Sequence, residues 1–312
     1  MLWRQGSCFN CPVSLDELRE LLARHARPDA STAIDGVLIG RAGQAHLPSA
    51  SMSGTVLALI AQGAKTLALG DRVYEYRAGQ YLIASVDLPV TGHYTEASRE
   101  RPALGFGLVL EPTAIADLLL DTPPGNLPRA HGAPSALAVS DAPVELVDAA
   151  VRMLRLLETP RDIPVLAPMI KREILWRLVT GEQGETVRQI GLADSNIAHV
   201  SRAVRWIRDN YREAFRVEEV AQLSGMSLSA FYRNFQAVTA MSPIQFQKQI
   251  RLQQARLLLA THPDDVTGVG HAVGYDSPSQ FSREYRRHFG APPSQDATRL
   301  RRTALTPAPA MP

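Results

Sequence analysis

The chain has 312 residues, of which 45% are hydrophobic and 21% are charged, with a formal net charge of +2. This is the composition of a globular protein with real cores, and the length allows two domains of ordinary size. No apolar run reaches the roughly eighteen residues of a membrane span, and the first residues lack the basic start and apolar stretch of a secretory signal. We therefore expect a cytoplasmic protein without a membrane partner.

The two cysteines, Cys8 and Cys11, exclude a disulfide framework. A pair at this spacing can form a redox couple or half of a zinc site, but no second Cys or His pair stands at metal spacing. We interpret them as two thiols in an N-terminal arm, and a redox role stays open.

Charge is distributed unevenly along the chain. Residues 201–302 carry a net charge of +6, whereas the remaining residues sum to −4. A basic C-terminal third is typical of a module that binds a polyanion and is joined to a domain of another kind.

The N-terminal half predicts one helix followed by a β domain. Residues 14–26 place Leu15, Leu18 and Leu22 at helical spacing, with Ser14 as a plausible N-cap. From residue 34 to 110, short apolar or alternating runs are separated by Gly, Asp and Pro. About seven short strands of this kind indicate an all-β sandwich or barrel.

After Pro112 the pattern becomes helical. One stripe contains Val144, Val147, Val151 and Leu154, and a second contains Ile170, Ile174, Leu175 and Leu178. The short connection between them predicts an antiparallel helical pair. This pair either covers the core of the barrel or forms a dimer interface, and we favour the interface. The polar, Gly-containing segment that follows is the best domain boundary.

A pattern in the C-terminal third occurs twice. Gly225 matches Gly274 with a shift of 49 residues, whereas Phe231, Arg233 and Pro243 match their counterparts with a shift of 50. A short helix, a turn with Gly and a second helix are the signature of a helix-turn-helix, whose second helix enters the DNA major groove. Ala221 and Gly270 stand four residues before each turn Gly, where a large side chain would block the helix crossing.

The second helix of each copy has an apolar and a polar face. Phe231 and Phe235, and likewise Phe281 and Tyr285, are four residues apart and are expected to face the core. The candidate DNA-binding residues on the outward face are Ser229, Tyr232, Arg233 and Gln236 in the first copy, and Ser279, Gln280, Arg283, Arg286 and Arg287 in the second. Arg and Gln make bidentate contacts to guanine and adenine edges, while Ser and Tyr reach phosphate or base.

An arginine-rich helix face taken alone usually means only a solvated surface. The repetition of the small residue, the Gly, the aromatics and the Pro favours DNA binding instead. Between the copies, Ser242 and Pro243 begin a helix whose eighteen residues, 243–260, would span about 27 Å. Such a rod could place two recognition helices in successive major grooves, about 34 Å apart.

Three segments carry a family resemblance: "VEEVAQLSGMS", "SPIQFQKQIRLQQARLLL" and "VGYDSPSQFSREYRRHFGAPP". Through them, residues 201–302 resemble the DNA-binding domain of the AraC/XylS family of bacterial transcription regulators. The N-terminal part resembles the cupin-like effector-binding domain of one branch, followed by its helical dimerisation segment. The resemblance implies a homodimeric activator or repressor controlled by a small-molecule effector, and contact with RNA polymerase in an activator.

Four positions depart from the family pattern. Ala240 stands where Gly is usual, so this turn lacks the residue best suited to a positive φ. Gly268 and Gly270 lie inside a helix of the second copy, each at a cost of about 1 kcal/mol relative to Ala, which makes the second copy the softer one. Asp296 occupies a place where an aromatic residue is common, which questions the packing of the last helix.

An enzyme is the main alternative for the β domain, since metal-dependent cupins hold a metal through two or three His and a carboxylate. This region offers only His46 and His93 as isolated histidines, with Glu96 three residues later. We therefore expect no catalytic residues, no metal and no cofactor. A barrel interior with Tyr81, Ser85, His93 and Tyr94 could instead hold a small organic effector, although each residue could equally be ordinary core or rim.

The sequence thus predicts a multidomain α+β protein. Residues 1–182 form a cupin-like β-barrel or jelly roll with flanking helices for effector binding and dimerisation, 183–200 a linker, 201–302 an all-α double helix-turn-helix domain and 303–312 a tail. An architectural protein that binds DNA regardless of sequence is a third possibility.

Overall fold

A computed structural model of the chain describes residues 15–44, 49–70, 72–128 and 136–303. The β-rich part begins with α1 (Leu15–His25), which confirms the helix predicted over 14–26, although its predicted cap Ser14 lies outside the described residues. The strands are β1 (Val37–Ala42), β2 (Ser49–Met52), β3 (Val56–Gln62), β4 (Ala64–Leu69), β5 (Arg72–Arg77), β6 (Gln80–Ala84), β7 (Pro89–Glu96), β8 (Ala103–Val109) and, after α2 (Pro112–Leu120), β9 (Leu137–Asp141).

The strands form two antiparallel sheets, with the orders β1-β8-β3-β6-β9 and β2-β7-β4-β5. Side chains from both sheets meet in the space between them, as in a β-sandwich. All but the last residue of β3 is buried, because α1 packs on the outer face of its sheet and the second sheet lies across the inner face. The predicted all-β unit is confirmed.

One strand was not predicted. The sequence after Pro112 was interpreted as helical and broken by a loop over residues 122–135, whereas Leu137–Asp141 forms β9 and pairs with β6 at the edge of the first sheet. Only five residues long, β9 follows a sequence rich in Pro and Gly and precedes a long helix, so its apolar residues resemble a helix start.

A helical pair follows the sandwich. The helices are α3 (Val144–Arg155) and α4 (Ile163–Thr180), and they pack against each other as predicted. Their predicted apolar stripes are buried except at Val144, which is 59% exposed because it lies in the first turn, beyond the covered part of the face.

The segment 183–200, predicted as a linker, is largely helical. It contains α5 (Gly184–Gly191) and the start of α6 (Asn196–Asp209). Val187, Ile190 and Val200 are buried, so these helices belong to the packed structure. The domain boundaries themselves stay a prediction.

The C-terminal part contains two helix-turn-helix units. Its helices are α7 (Val217–Leu223), α8 (Leu228–Thr239), α9 (Pro243–Thr261), α10 (Val266–Ala272), α11 (Pro278–Phe289) and α12 (Pro293–Thr303). Helices α7 and α8 form the first unit, α10 and α11 form the second, and α9 connects them. The predicted fold class, a β-rich domain followed by an all-α domain with two such units, is confirmed.

Small residues allow the helices of each unit to cross closely, as the sequence predicts. Ala221 is 1% exposed, and Gly270 is also buried. A Cβ atom added to Gly270 would lie 3.0 Å from Cδ1 of Phe281, so the backbone of α10 lies directly on this ring. The turn residues Gly225 and Gly274 have φ values of 75° and 90°, a conformation that favours glycine.

The hydrophobic core is divided unequally between the two units. The core of the first unit, with Phe231 and Phe235, is continuous with that of the sandwich and the helical pair. The second unit has a smaller core of its own around Phe281 and Tyr285. The second unit is therefore supported mainly by α9, α12 and its own aromatic side chains.

Candidate nucleic-acid interface and effector-binding barrel

Helix α8 presents a polar face because its aromatic side chains anchor the opposite face. The hydroxyl of Ser227 caps the helix by accepting a hydrogen bond from the Ala230 amide. Phe231 and Phe235 are fully buried, and the Phe235 ring packs edge-on against Phe246 of α9 at 5.4 Å. The outward placement predicted for α8 is confirmed.

Helix α11 repeats this arrangement. Ser277 caps it, and Phe281 and Tyr285 are fully buried with their ring centroids 5.5 Å apart. All nine candidate DNA-binding residues of α8 and α11 are exposed: Ser229, Tyr232, Arg233, Gln236, Ser279, Gln280, Arg283, Arg286 and Arg287. Their contacts with DNA stay a prediction.

Two candidates in α11 already have hydrogen-bond partners in the same helix or its cap, and the Ser279 hydroxyl lies 3.4 Å from that of Ser277. The Gln280 side-chain amide donates to Glu284 at 3.3 Å, and Glu284 also accepts from Lys248 at 2.8 Å and from the Tyr275 hydroxyl at 2.9 Å. Although burial alone would raise the pKa of Glu284, these hydrogen bonds hold it below its ordinary value. Lys248 lies on α9, so this cluster ties the recognition helix to the connecting helix.

Helix α9 begins at Ser242 as predicted, with a full capping box formed with Gln245. Near its middle, the Arg251 guanidinium contacts both units. It donates to the carbonyl oxygens of Tyr211 at 2.6 Å and Arg212 at 3.0 Å, beside the first unit, and to that of Gly274 at 2.7 Å, in the turn of the second. Arg251 therefore joins the two units through one planar group.

The predicted doubt about Asp296 is resolved by an ion-pair network. The Asp296 carboxylate is fully buried, accepts from Arg256 and Arg299 at 2.9 and 2.7 Å, and accepts from the Tyr285 hydroxyl at 2.8 Å. A charge-assisted network thus fills the place where an aromatic ring is common and attaches α12 to α9 and α11.

The two turns after the recognition helices differ in strain. Ala240 has a φ of 58°, whereas Gly290 occupies the equivalent place with a φ of 78°. An L-residue with a side chain in this region costs about 1 kcal/mol, which Gly avoids. The prediction that the turn after α8 lacks the residue best suited to a positive φ is confirmed.

The sandwich contacts the DNA-binding part through β7 and the loop before it. The Gln249 amide donates to the Pro89 carbonyl at 2.8 Å, and the Gln253 amide donates to the Val90 carbonyl at 3.3 Å. Arg208 of α6 forms an ion pair with Asp87. Beside these contacts is a cleft of about 380 Å³ between Gly70 and α11, and Arg287 is among its lining residues.

The interior between the two sheets contains a lysine that sequence reasoning missed. Lys65 of β4 is 2% exposed and lines a cavity of about 20 Å³ together with Tyr76 and Val90. Its Nζ atom lies 5.3 Å from the centroid of the Tyr94 ring. Burial lowers the pKa of Lys65 to about 8. The alternation Lys65, Leu67, Leu69 along β4 is the signal that places this lysine on the buried face.

The four predicted effector-binding residues do not line one cavity. Tyr94 points between the sheets, because its hydroxyl lies 3.8 Å from where a Cβ atom of Gly105 would stand. His93, its neighbour on β7, is half-buried and belongs by alternation to the opposite face of the strand. Tyr81 faces the helical side, where it hydrogen-bonds Ser140, and burial raises its pKa to about 12. Ser85 follows β6 and hydrogen-bonds the Ala136 carbonyl at 3.5 Å. Strand alternation separates these side chains, and their role in effector binding stays a prediction.

No group of three or more His, Cys, Asp or Glu residues that could hold a metal ion occurs in the described ranges. Cys8, Cys11 and His46 lie outside them. Among the described helices, none is long and apolar enough to cross a membrane.

Two family models match the chain. The AraC-type transcriptional regulator N-terminus matches residues 33–186, and a helix-turn-helix domain matches residues 220–299. Curated relatives include the HTH-type transcriptional activator RhaS of Escherichia fergusonii, 28% identical over 42% of this chain and 46% of that protein. The thermoregulatory protein LcrF of Yersinia pestis is 30% identical over 46% of this chain and 53% of that protein. The chain thus spans about half the length of these relatives.

Solved structures share the fold over most of the chain. An apo ToxT variant from Vibrio cholerae superposes with a TM-score of 0.53 and 10% identity, covering 87% of this chain and 99% of that one. A fatty-acid-bound wild-type ToxT has a TM-score of 0.51 and 9% identity over 84% and 94%. At this identity, the likeness concerns the fold. On the matches to its two parts, the chain belongs to the AraC family of transcriptional regulators.

Proposed function

We propose that this protein regulates transcription by binding double-stranded DNA through α8 and α11, under the control of a small molecule bound in the N-terminal part. The observation that carries the proposal is the duplicated helix-turn-helix with its exposed polar face. Arg233 and Arg283 occupy equivalent exposed places in the two units. A pair of units joined by one helix suits two successive major grooves on one side of a duplex.

The DNA-binding proposal is tested by substituting these equivalent arginines. Operators are first selected from a random duplex library with the full chain. Arg233→Ala and Arg283→Ala are each expected to lose about 1–3 kcal/mol of binding free energy at the selected site. Equal losses on random DNA would reduce either arginine to a phosphate contact, and sequence-indifferent binding by the parent protein would favour an architectural role instead.

The effector proposal is supported by the sandwich and its polar interior. Lys65, Tyr76 and Tyr94 give an otherwise apolar interior a small number of polar groups, the usual composition of a small-molecule site. Because the cavity that Lys65 and Tyr76 line holds only about 20 Å³, an effector would have to enlarge it by moving the two sheets apart. ToxT, which shares the fold, has been solved with an unsaturated fatty acid bound. A thermal-shift screen of the full chain with small metabolites, including fatty acids and aldehydes, tests the proposal. No shift across a broad panel would count against effector control.

We also propose that the protein is a homodimer paired through the helices from 144 to 179. Val165 and Met169 of α4 are 66% and 64% exposed, beside an apolar groove that Ile170 and Leu156 line. Exposed apolar side chains in a contiguous patch favour an interface. Met169→Glu is expected to convert a dimer into a monomer in sedimentation experiments, with Val73→Glu, at an exposed strand position 68% accessible, as the matched control.

We propose that the protein is a regulator without enzymatic activity, because this fits the family better than a metal-dependent enzyme does. A DNA-binding regulator would work in the cytoplasm, where the chromosome is. An activator of this kind would also contact RNA polymerase. Elemental analysis of the purified protein distinguishes the two: stoichiometric iron, manganese or zinc would favour the enzyme.

A further inference from the structure

The two recognition helices share one part of their exposed face. By the fifty-residue repeat, Ser229 and Arg233 of α8 correspond to Ser279 and Arg283 of α11, and all four are exposed. The caps and the buried aromatic residues also correspond, so the two faces are held in the same way. Any difference in what the helices recognise must therefore come from the remaining exposed positions.

One row of the remaining positions of α8 carries an apolar, an aromatic and an amide side chain. Leu228 and Tyr232 are 39% and 43% exposed, and Gln236 follows at the same spacing of four residues. Residues at this spacing form one row along a helix, adjacent to Ser229 and Arg233. Apolar side chains contact the thymine methyl group in the major groove, and Gln pairs bidentately with adenine. The row thus matches A·T base pairs.

The corresponding row of α11 contains neither a large apolar side chain nor an amide. It consists of Pro278, Ser282 and Arg286. Together with Arg283, Arg286 places a second guanidinium on the central part of the face, and Arg287 stands at its edge where α8 has Ala237. In the described part of the chain, the salt bridges of this region involve Lys248, Arg256 and Arg299 rather than these arginines. Arg is the usual bidentate partner of guanine, and a guanidinium at the edge is suited to phosphate.

We infer that the operator is asymmetric, with an A·T-rich half-site read by α8 and a guanine-containing half-site read by α11 about one helical turn away. This inference rests on the proposed DNA binding. It assigns Leu228, Tyr232 and Gln236 as specificity residues of the first half-site, and Arg283 and Arg286 as those of the second.

Selection from a randomised duplex library tests the inference with the full chain and two reciprocal variants. Gln236→Arg gives α8 the residue of α11 at this position, and Arg286→Gln is the matched exchange. The parent protein is expected to enrich one A·T-rich and one G-containing element. Gln236→Arg should change the preferred base from adenine to guanine at one position of the A·T-rich element, by about tenfold or more. Arg286→Gln should change guanine to adenine in the other element only.

The outcomes separate this inference from the proposed function. No enrichment over the input library would contradict sequence-specific DNA binding itself. Enrichment of two elements with the same composition would leave DNA binding standing and overturn the asymmetry. The assignment of the helices is wrong if Gln236→Arg alters the G-containing element. Circular dichroism establishes that both variants fold, and Tyr232→Ser provides an independent check, since it should weaken selection for thymine only in the A·T-rich element.

Discussion

Replacing Lys65 with Met should stabilise the protein near neutral pH. Lys65 is 2% exposed between the two sheets, and burial lowers its pKa from the ordinary 10.5 to about 8. At pH 7 the group is protonated in both the folded and the unfolded states, so the folded state bears the cost of a buried charge. The difference between the two pKa values corresponds to roughly 3 kcal/mol. Met has a similar length without the charge and should recover much of this free energy.

The sign of the pH dependence distinguishes this explanation from a simple packing effect. Below pH 8 the free-energy cost of burying the charged Lys65 side chain is constant. As the pH rises from 8 to 10.5, the folded state releases the proton first, so the lysine protein gains stability relative to the Lys65→Met variant. Between pH 7 and pH 9.5 this relative gain should be about 2 kcal/mol. Urea unfolding of both proteins across this range measures it. A difference in stability independent of pH would refute the assignment of the cost to a buried ammonium group.

Three further predictions concern the DNA-binding part. Gly274→Ala should destabilise the second unit by at least about 2 kcal/mol in urea unfolding, because Gly274 has a positive φ and the new Cβ atom would lie 2.1 Å from the Arg212 carbonyl oxygen. The control Gly290→Ala, which also has a positive φ but open space around it, should cost only about 1 kcal/mol. Asp296→Ala should cost about 3–5 kcal/mol by leaving Arg256 beside an empty buried site, and a smaller loss would mean that water replaces the carboxylate. Ala240→Gly should raise the unfolding free energy by about 0.5 kcal/mol, since it relieves a φ of 58°, and a loss of stability would show that unfolded-state entropy outweighs this strain.

The parts of the fold with strong periodicity were predictable. The repeat around Gly225 and Gly274 identified both units, and the spacing of Phe231 and Phe235 identified the buried face of α8, because 3.6-residue periodicity fixes which side chains share a helix face. The helix α9 was predicted to within a residue from Ser242 and Pro243, since caps are local signals.

The interior of the sandwich was much less predictable. Alternation along a strand shows that Lys65 shares a face with Leu67, but the direction of that face depends on which strands pair across the sheet. For the same reason, the sequence did not show which of the neighbours His93 and Tyr94 lies on the inner face of its strand. The Asp296 network was also hidden, because its partner Arg256 lies forty residues away and only the packing of α9 on α12 brings the two charges together.

The guanidinium of Arg251 has a consequence for the operator. Because this single side chain holds the backbone beside one unit and the turn of the other, we expect the two units to keep a fixed separation and orientation on DNA. Inserting one base pair between the half-sites would turn the second by about a tenth of a revolution and shift it by about 3.4 Å. Binding should therefore be weakened less by a single base change in a half-site than by a change in the spacing between the two half-sites.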